Sequence, residues 1–246
     1  RDVAPSRGLG DVYKRQVKVA PDGTFAVKFV KGDVKAGTEN SKLKEEAYSL
    51  RVTPGGALIT AMDTRGFYYG MKTLEQLLLR RGGTTTIAAC DIVDWPDFEI
   101  RGFMNDVGRN YMPLPLIARE LDSMAQLKLN VYHFHFTENP GWRLESKIYP
   151  ELNDSRNYTR MPGKFYTQKE FKQLVEYCRL RNILLIPEMD MPGHSQMFRK
   201  ALNVKMSDEK ATKALVALIK ELCSLVPKEK MPIIHIGTDE VRGRDE

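Results

Sequence analysis

Asn130-Val-Tyr-His-Phe-His-Phe-Thr137 is a short run of β-branched and aromatic residues that stops at the polar pair Glu138-Asn139. It reads as a buried strand, with His133 and His135 on one face and the aromatic residues on the other. Upstream, Leu116, Ile117, Leu121, Met124 and Leu127 share one face of a helix predicted over residues 114–127, and residues 100–107 form an earlier strand. Downstream, Thr167-Gln-Lys-Glu170 is a capping box that opens a helix over 168–181. Asn182-Ile-Leu-Leu-Ile-Pro187 is a third strand, residues 208–226 a third helix with Ser207 as its cap, and residues 232–238 a fourth strand. Four strands alternating with three helices predict an α/β fold. Its sheet is parallel with right-handed crossovers, either doubly wound or part of a barrel.

Before this rhythm begins, the pattern is different. Thr24-Phe-Ala-Val-Lys-Phe-Val30, Tyr48-Ser-Leu-Arg-Val52 and Ala57-Leu-Ile-Thr60 alternate and are separated by Asp22-Gly23 and Pro54-Gly55-Gly56, which predicts antiparallel strands and hairpins. Residues 66–79 carry apolar side chains near helical spacing, closed by Arg80-Arg81-Gly82-Gly83. Residues 17–93 are therefore expected to form a small α+β domain, with a boundary at Asp94-Trp-Pro-Asp97 and the strand–helix domain over 94–246. Residues 1–16 lack apolar periodicity and read as an adaptor-like leader outside the fold.

The 246 residues carry a net charge of +6, but basic and acidic side chains are interspersed and form no cationic tract. That distribution argues against a nucleic-acid partner. Cys90, Cys178 and Cys223 are widely spaced and read as small core residues, not as a disulfide framework or a zinc site. No apolar run reaches the ~18 residues of a membrane span, and no signal-type leader is read.

In either parallel architecture, function concentrates at the carboxyl ends of the strands. The polar residues fall there: Asp106 and Arg109 after the first strand, Glu138 and Asn139 after the second, Glu188, Asp190 and His194 after the third, Asp239 and Glu240 after the fourth. Adjacent carboxylates at a strand end suit acid–base chemistry if their environments differ. Successive strand residues point to opposite faces, so the pair converges only if the ladder ends near Gly237-Thr238.

Four ordered motifs then carry a resemblance. Arg101-Gly-Phe-Met-Asn-Asp-Val-Gly-Arg109, His133-Phe-His-Phe-Thr-Glu-Asn-Pro-Gly-Trp-Arg143, Pro187-Glu-Met-Asp-Met-Pro-Gly-His194 and His235-Ile-Gly-Thr-Asp-Glu-Val241 resemble the strand-end motifs of the family 20 glycoside hydrolases, the β-N-acetylhexosaminidases. The resemblance implies a (β/α)8 TIM barrel behind a small α+β domain. About 150 residues follow Asp94, against ~250 for eight strand–helix units, so the first four units of the barrel are expected, unstable or inactive by themselves.

The activity implied is removal of terminal β-linked N-acetylhexosamine, GlcNAc or GalNAc, from oligosaccharides and glycoconjugates, with neither cofactor nor metal. Such enzymes form no covalent glycosyl-enzyme, because the substrate's own 2-acetamido oxygen attacks the anomeric carbon. By the resemblance, Glu240 is the general acid and later base, and Asp239 orients the acetamido group. Arg109 grips hydroxyls of the terminal sugar, and the competing reading is a structural pair with Asp106. His194 lies between Glu240 and Glu138. Glu138 stands where the family more often has aspartate, and Asn139-Pro140 replaces a commoner Asp-Gln.

His135 and Asp190 belong to the expected substrate-binding set, Asp190 by supporting His194 or its loop. Trp142 either stacks on a sugar or packs in its loop, and Glu188 accepts hydrogen bonds from behind the site. The family setting is exported or lysosomal, which no targeting segment here supports. Two rival readings remain: a metal-dependent amidohydrolase-type barrel using His133 and His135 with His194 and His235, and a carbohydrate-binding barrel without turnover.

Overall fold

The computed structural model describes residues 16–18 and 25–241, so the expected leader lies almost entirely outside the described residues. The chain divides into two compact units between Ile100 and Arg101.

In the first unit, β1 (Gln16–Lys18), β2 (Ala26–Lys31), α1 (Ser41–Glu46), β3 (Tyr48–Thr53), β4 (Gly56–Ala61), α2 (Thr64–Gln76), β5 (Leu78–Arg81), β6 (Thr84–Ala88) and β7 (Cys90–Asp94) follow in order. A four-stranded sheet runs β2-β4-β3-β7. The two residues Pro54 and Gly55 turn β3 into β4, with Thr53 opposite Gly56, and alternation then puts Tyr48, Leu50, Val52, Ala57, Ile59 and Ala61 on one buried face. Helix α2, capped by the Asp63 carboxylate accepting from the Arg65 N–H at 3.0 Å, covers that face.

Gly66 and Gly70, one helical turn apart, allow this close approach. A Cβ at Gly66 would lie 2.8 Å from Ala61 Cβ, and one at Gly70 2.7 Å from Ile59 Cγ2. Tyr48, fully buried beneath the helix, keeps its hydroxyl satisfied by Thr73 Oγ1 at 2.5 Å and Asp94 Oδ2 at 2.8 Å.

Three local expectations change here. Helix α2 ends at Gln76, and Arg80-Arg81 belong to β5, which pairs antiparallel with β6. Gly82 and Gly83, both left-handed at φ +53° and +78°, form the two-residue hairpin turn between them. β2 lies parallel to β4, not as a hairpin partner, because residues 32–47 with α1 carry the chain across.

The second unit contains β8 (Gly102–Asp106), α3 (Leu114–Gln126), β9 (Val131–His135), the hairpin β10 (Thr137–Glu138) and β11 (Gly141–Trp142), α4 (Gln168–Arg179), β12 (Leu184–Glu188), α5 (Gln196–Leu202) and α6 (Glu209–Leu225). β8, β9 and β12 form a parallel sheet whose spatial order follows the sequence. Tyr132 and Phe134 are fully buried, and the Phe134 ring lies 6.3 Å from that of Phe171 on α4. Burying such side chains contributes roughly 1.5–3 kcal/mol each. The capping box forms as expected, Thr167 N–H to Glu170 Oε2 at 2.7 Å and Glu170 N–H to Thr167 Oγ1 at 3.1 Å.

Residues 232–238 do not form the expected regular strand. Only His235 bridges, parallel to Glu188, with the His235 N–H on Pro187 O at 2.9 Å and the Met189 N–H on His235 O at 3.0 Å. Pro232 has no N–H to give, and Gly237 and Thr238 turn left-handed at φ +69° and +84°, which ends the extended path. Asp208, not Ser207, occupies the cap of α6, with its carboxylate accepting from the Lys205 N–H at 2.8 Å. All three cysteines are free, and burial pushes the Cys178 thiol up to about 12, whereas Cys223 is exposed and not a core residue. Among the described residues, no helix is long and apolar enough to cross a membrane.

Candidate active site

The site starts at the turn after β8. Val107 and Gly108 both donate their N–H to His135 O at 3.0 Å, folding the chain back over β9. The Asp106 carboxylate then accepts from the Arg109 N–H at 2.8 Å and pairs with its guanidinium. Gly108 is required by space, since a Cβ there would stand 2.7 Å from Glu138 Cβ.

Arg109 Nη2 reaches Glu138 Oε1 at 2.5 Å. The guanidinium is thus shared between the Asp106 and Glu138 carboxylates. Glu138 is buried, only 2% exposed, and the same oxygen lies 2.5 Å from His194 Nδ1. His194 itself sits in left-handed backbone at φ +51°. Its Nε2 lies 3.1 Å from Glu240 Oε2 and 3.6 Å from Asp239 Oδ2.

Neither approach to Glu138 Oε1 has the alignment of a hydrogen bond, and Arg109 Nη2 also stands 3.4 Å from His194 Nδ1. The other ring nitrogen, Nε2, is the one that faces the acidic pair. The adjacent acids reach one imidazole because Gly237, Thr238 and Glu240 all have positive φ, at +69°, +84° and +48°, and strand alternation is broken between them. Their carboxylates are open, Asp239 at 65% and Glu240 at 76% exposure. A line of groups thus runs Arg109, Glu138, His194, Glu240.

The model described as "Glycosyl hydrolase family 20, catalytic domain" matches residues 98–204, and the one described as "Glycosyl hydrolase family 20, domain 2" matches residues 6–95. The chain belongs to glycosyl hydrolase family 20. The second match starts at residue 6, inside the stretch read as a leader. Among its family 20 relatives, the β-hexosaminidase of Vibrio furnissii is 32% identical over 238 residues, 82% of this chain and 38% of the relative. That of Porphyromonas gingivalis is 39% identical over 166 residues, 62% of this chain and 21% of the relative. Among solved structures, the family 20 exo-β-N-acetylglucosaminidase of Vibrio harveyi, in complex with N-acetylglucosamine, superposes with a TM-score of 0.77 at 28% identity, covering 90% of this chain and 39% of that one. The chain thus spans about two fifths or less of these relatives.

Around the central line, this family 20 chain departs from the expected assignments in places. Trp142 is 4% exposed, edge-on to Phe136 and tilted against Phe198, the packing alternative of the two readings of its ring. His135 does not reach the rim. It shares a face with His133, is 6% exposed, and places Nδ1 2.9 Å from Glu188 Oε2.

Glu188 gathers three imidazoles: His133 Nε2 at 2.7 Å, without the alignment of a hydrogen bond, His135 Nδ1, and His235 Nδ1 at 3.0 Å. Burial would raise the Glu188 pKa, but His133 and His135 hold it well below the usual carboxylate range. His133, Glu188 and His235 offer ligand atoms within 4.8 Å of one another, as do His135, Glu188 and Asp190. His194 groups separately with Asp190 and Asp239, so the four histidines do not converge on one point.

Asp190 is bonded to the turn that leads into Asp239 and Glu240. Its N–H donates to Thr137 Oγ1 at 2.9 Å, and its Oδ1 accepts from the Thr238 N–H at 3.2 Å. Burial, reinforced by Asp239 and Glu188, pushes its pKa up to about 6 even though the Thr238 N–H opposes the shift. A carboxyl whose folded pKa exceeds its unfolded value loses stability as pH rises from the unfolded value to about 6, then no further. Asp190→Asn keeps the Thr238 bond and removes that ionisation. The variant should match wild type near pH 3.5 and exceed it by on the order of 1 kcal/mol at pH 7, read from urea unfolding at both pH values.

Sequence reasoning missed Arg143 and the β10–β11 hairpin. The hairpin matters because Asn139 Oδ1 accepts from the Gln196 N–H at 3.0 Å, tying the loop that carries Glu138 to the start of α5 just beyond His194.

Proposed function

We propose that the protein is a β-N-acetylhexosaminidase that removes terminal β-linked GlcNAc or GalNAc from glycans by substrate-assisted, retaining hydrolysis. The observation that carries this reading is His194 standing between buried Glu138 and open Glu240. β8, β9, β12 and the bridged segment 232–238 are read as the first four strands of a (β/α)8 barrel, since their neighbour order never reverses as it does in doubly wound sheets. Residues 17–93 act as the small domain before it.

Arg109 holds ring hydroxyls with its fork of donors, fixing the sugar for intramolecular attack. The Asp239 carboxylate accepts from the acetamido N–H and draws the carbonyl oxygen onto the anomeric carbon. Glu240 protonates the departing glycosidic oxygen as the oxazolinium-like intermediate forms. Ionised Glu240 then takes a proton from the water that opens this ring, giving the β-configured product. Glu138 acts through His194, fixing the ring whose Nε2 faces Glu240. The setting is exported or lysosomal by family likeness.

The test is hydrolysis of a nitrophenyl N-acetyl-β-glucosaminide by the full-length protein, with inhibition by a thiazoline analogue of the cyclised intermediate. Turnover that is indifferent to the thiazoline, or equal on the sugar lacking the acetamido group, would reject the mechanism.

A further inference from the structure

Arg143 is fully buried, 0% exposed, yet no carboxylate pairs with it among the described residues. All three guanidinium nitrogens donate to main-chain carbonyls: Nε to Gly108 O at 3.1 Å, Nη1 to Met161 O at 3.0 Å and Lys164 O at 2.9 Å, and Nη2 to Arg160 O at 2.9 Å. The Tyr158 ring closes one side, with the guanidinium carbon 5.0 Å from its centroid. Burial lowers the pKa of the group, but an arginine stays charged in proteins. A desolvated cation held only by peptide dipoles is costly unless its geometry is fixed. Its acceptors belong to two segments. One is the residue immediately before Arg109, and the other is the 160–164 loop, whose Arg160 reaches Asn110 Oδ1 at 3.3 Å. The backbone carrying Arg109 is therefore tied to that loop through one buried side chain. Even the room for that side chain is reserved, since a Cβ at Gly141 would stand 2.6 Å from Arg143 Cζ.

We propose that Arg143 is a positioning residue that sets the reach of Arg109 toward the terminal sugar by clamping the Gly108 carbonyl to the 160–164 loop. The clamp is a matter of structure alone; its consequence for sugar binding rests on the hydrolase reading above. A lysine supplies charge without the planar fork, so Arg143→Lys removes the tie and keeps the cation.

Two measurements on the full-length protein separate these parts. In hydrogen exchange, Arg143→Lys should speed exchange at least about tenfold in peptides covering 108–112 and 159–164 while other peptides hold their rates. Unchanged exchange there overturns the clamp whatever the enzyme's activity. In steady-state kinetics, Arg143→Lys should raise KM about tenfold with kcat within about threefold and the pH profile unmoved, because binding is lost and the proton relay is intact. In an Arg109→Lys background the same change should add less than about twofold, since its effect passes through Arg109. Equal effects in both backgrounds, or a fall in kcat at constant KM, overturn the positioning role. Gly141→Ala displaces the guanidinium while keeping it, should raise KM alike, and serves if the lysine variant does not fold. If wild type turns over no N-acetylhexosaminide, the hydrolase reading falls, and the exchange result still decides the clamp.

Discussion

Glu240→Gln should lower kcat by about 10²–10⁴ on an N-acetyl-β-glucosaminide with an alkyl leaving group, the range general acid–base catalysis supplies. The amide has nearly the carboxyl's shape and can keep the 3.1 Å approach to His194 Nε2, so binding should change little. What it cannot do is give up a proton to the glycosidic oxygen. A nitrophenyl leaving group needs that proton far less, so the loss on such a substrate should be at least tenfold smaller. The basic limb of the kcat/KM profile, which reports the acid, should vanish in the variant. Equal losses on both leaving groups, or a preserved basic limb, would move the acid to another residue.

Glu188→Gln should cost about 3–5 kcal/mol of unfolding free energy, the scale for removing one partner of a buried charge cluster. The carboxylate is 3% exposed, and nitrogens of three histidines stand within 3.0 Å of its oxygens. These side chains come from β9, β12 and the bridged segment, so one residue joins three successive strand ends. For a chain of this size the melting midpoint should fall by roughly 10 °C.

The pH dependence has a definite sign. Glu188 has a depressed pKa, so its contribution is present above the unfolded carboxylate value near 4.5 and is lost as pH falls. For His135, burial acts downward but Glu188 prevails and raises the pKa, so its contribution is full below about 6.5 and fades as pH rises. The gap between wild type and variant should therefore be widest between about pH 4.5 and 6.5, measured by urea unfolding across pH. A loss under about 1 kcal/mol at pH 5.5 would show that the cluster is not stabilising.

Much of the second unit was legible because its signals are local. The capping box at Thr167 and Glu170, the apolar face of α3 and the alternation of β9 each sit within a few residues of chain. The positions of Arg109, Glu138 and His194 after successive strands followed from that rhythm. What escaped depends on distant partners. Trp142 packs because Phe198 arrives from a helix too short to announce itself, and His135 turns inward because Glu188 is there to meet it. Arg143 has no spacing signal at all, since its acceptors are carbonyls, which every residue carries. Residues 232–238 misled because an apolar run says nothing about where backbone φ changes sign.

The turn at Gly237 also bears on redesign of the site. A methyl group there would overlap the Asp190 carboxylate, the same group whose oxygen accepts from the Thr238 N–H. Positions 190 and 237 compete for one atom-sized space, so in a mutant library they amount to a single variable. Substitutions screened at Gly237 alone will mostly sample displaced acids, whereas changes paired with a smaller residue at 190 would explore new geometries for the Asp239-Glu240 tip.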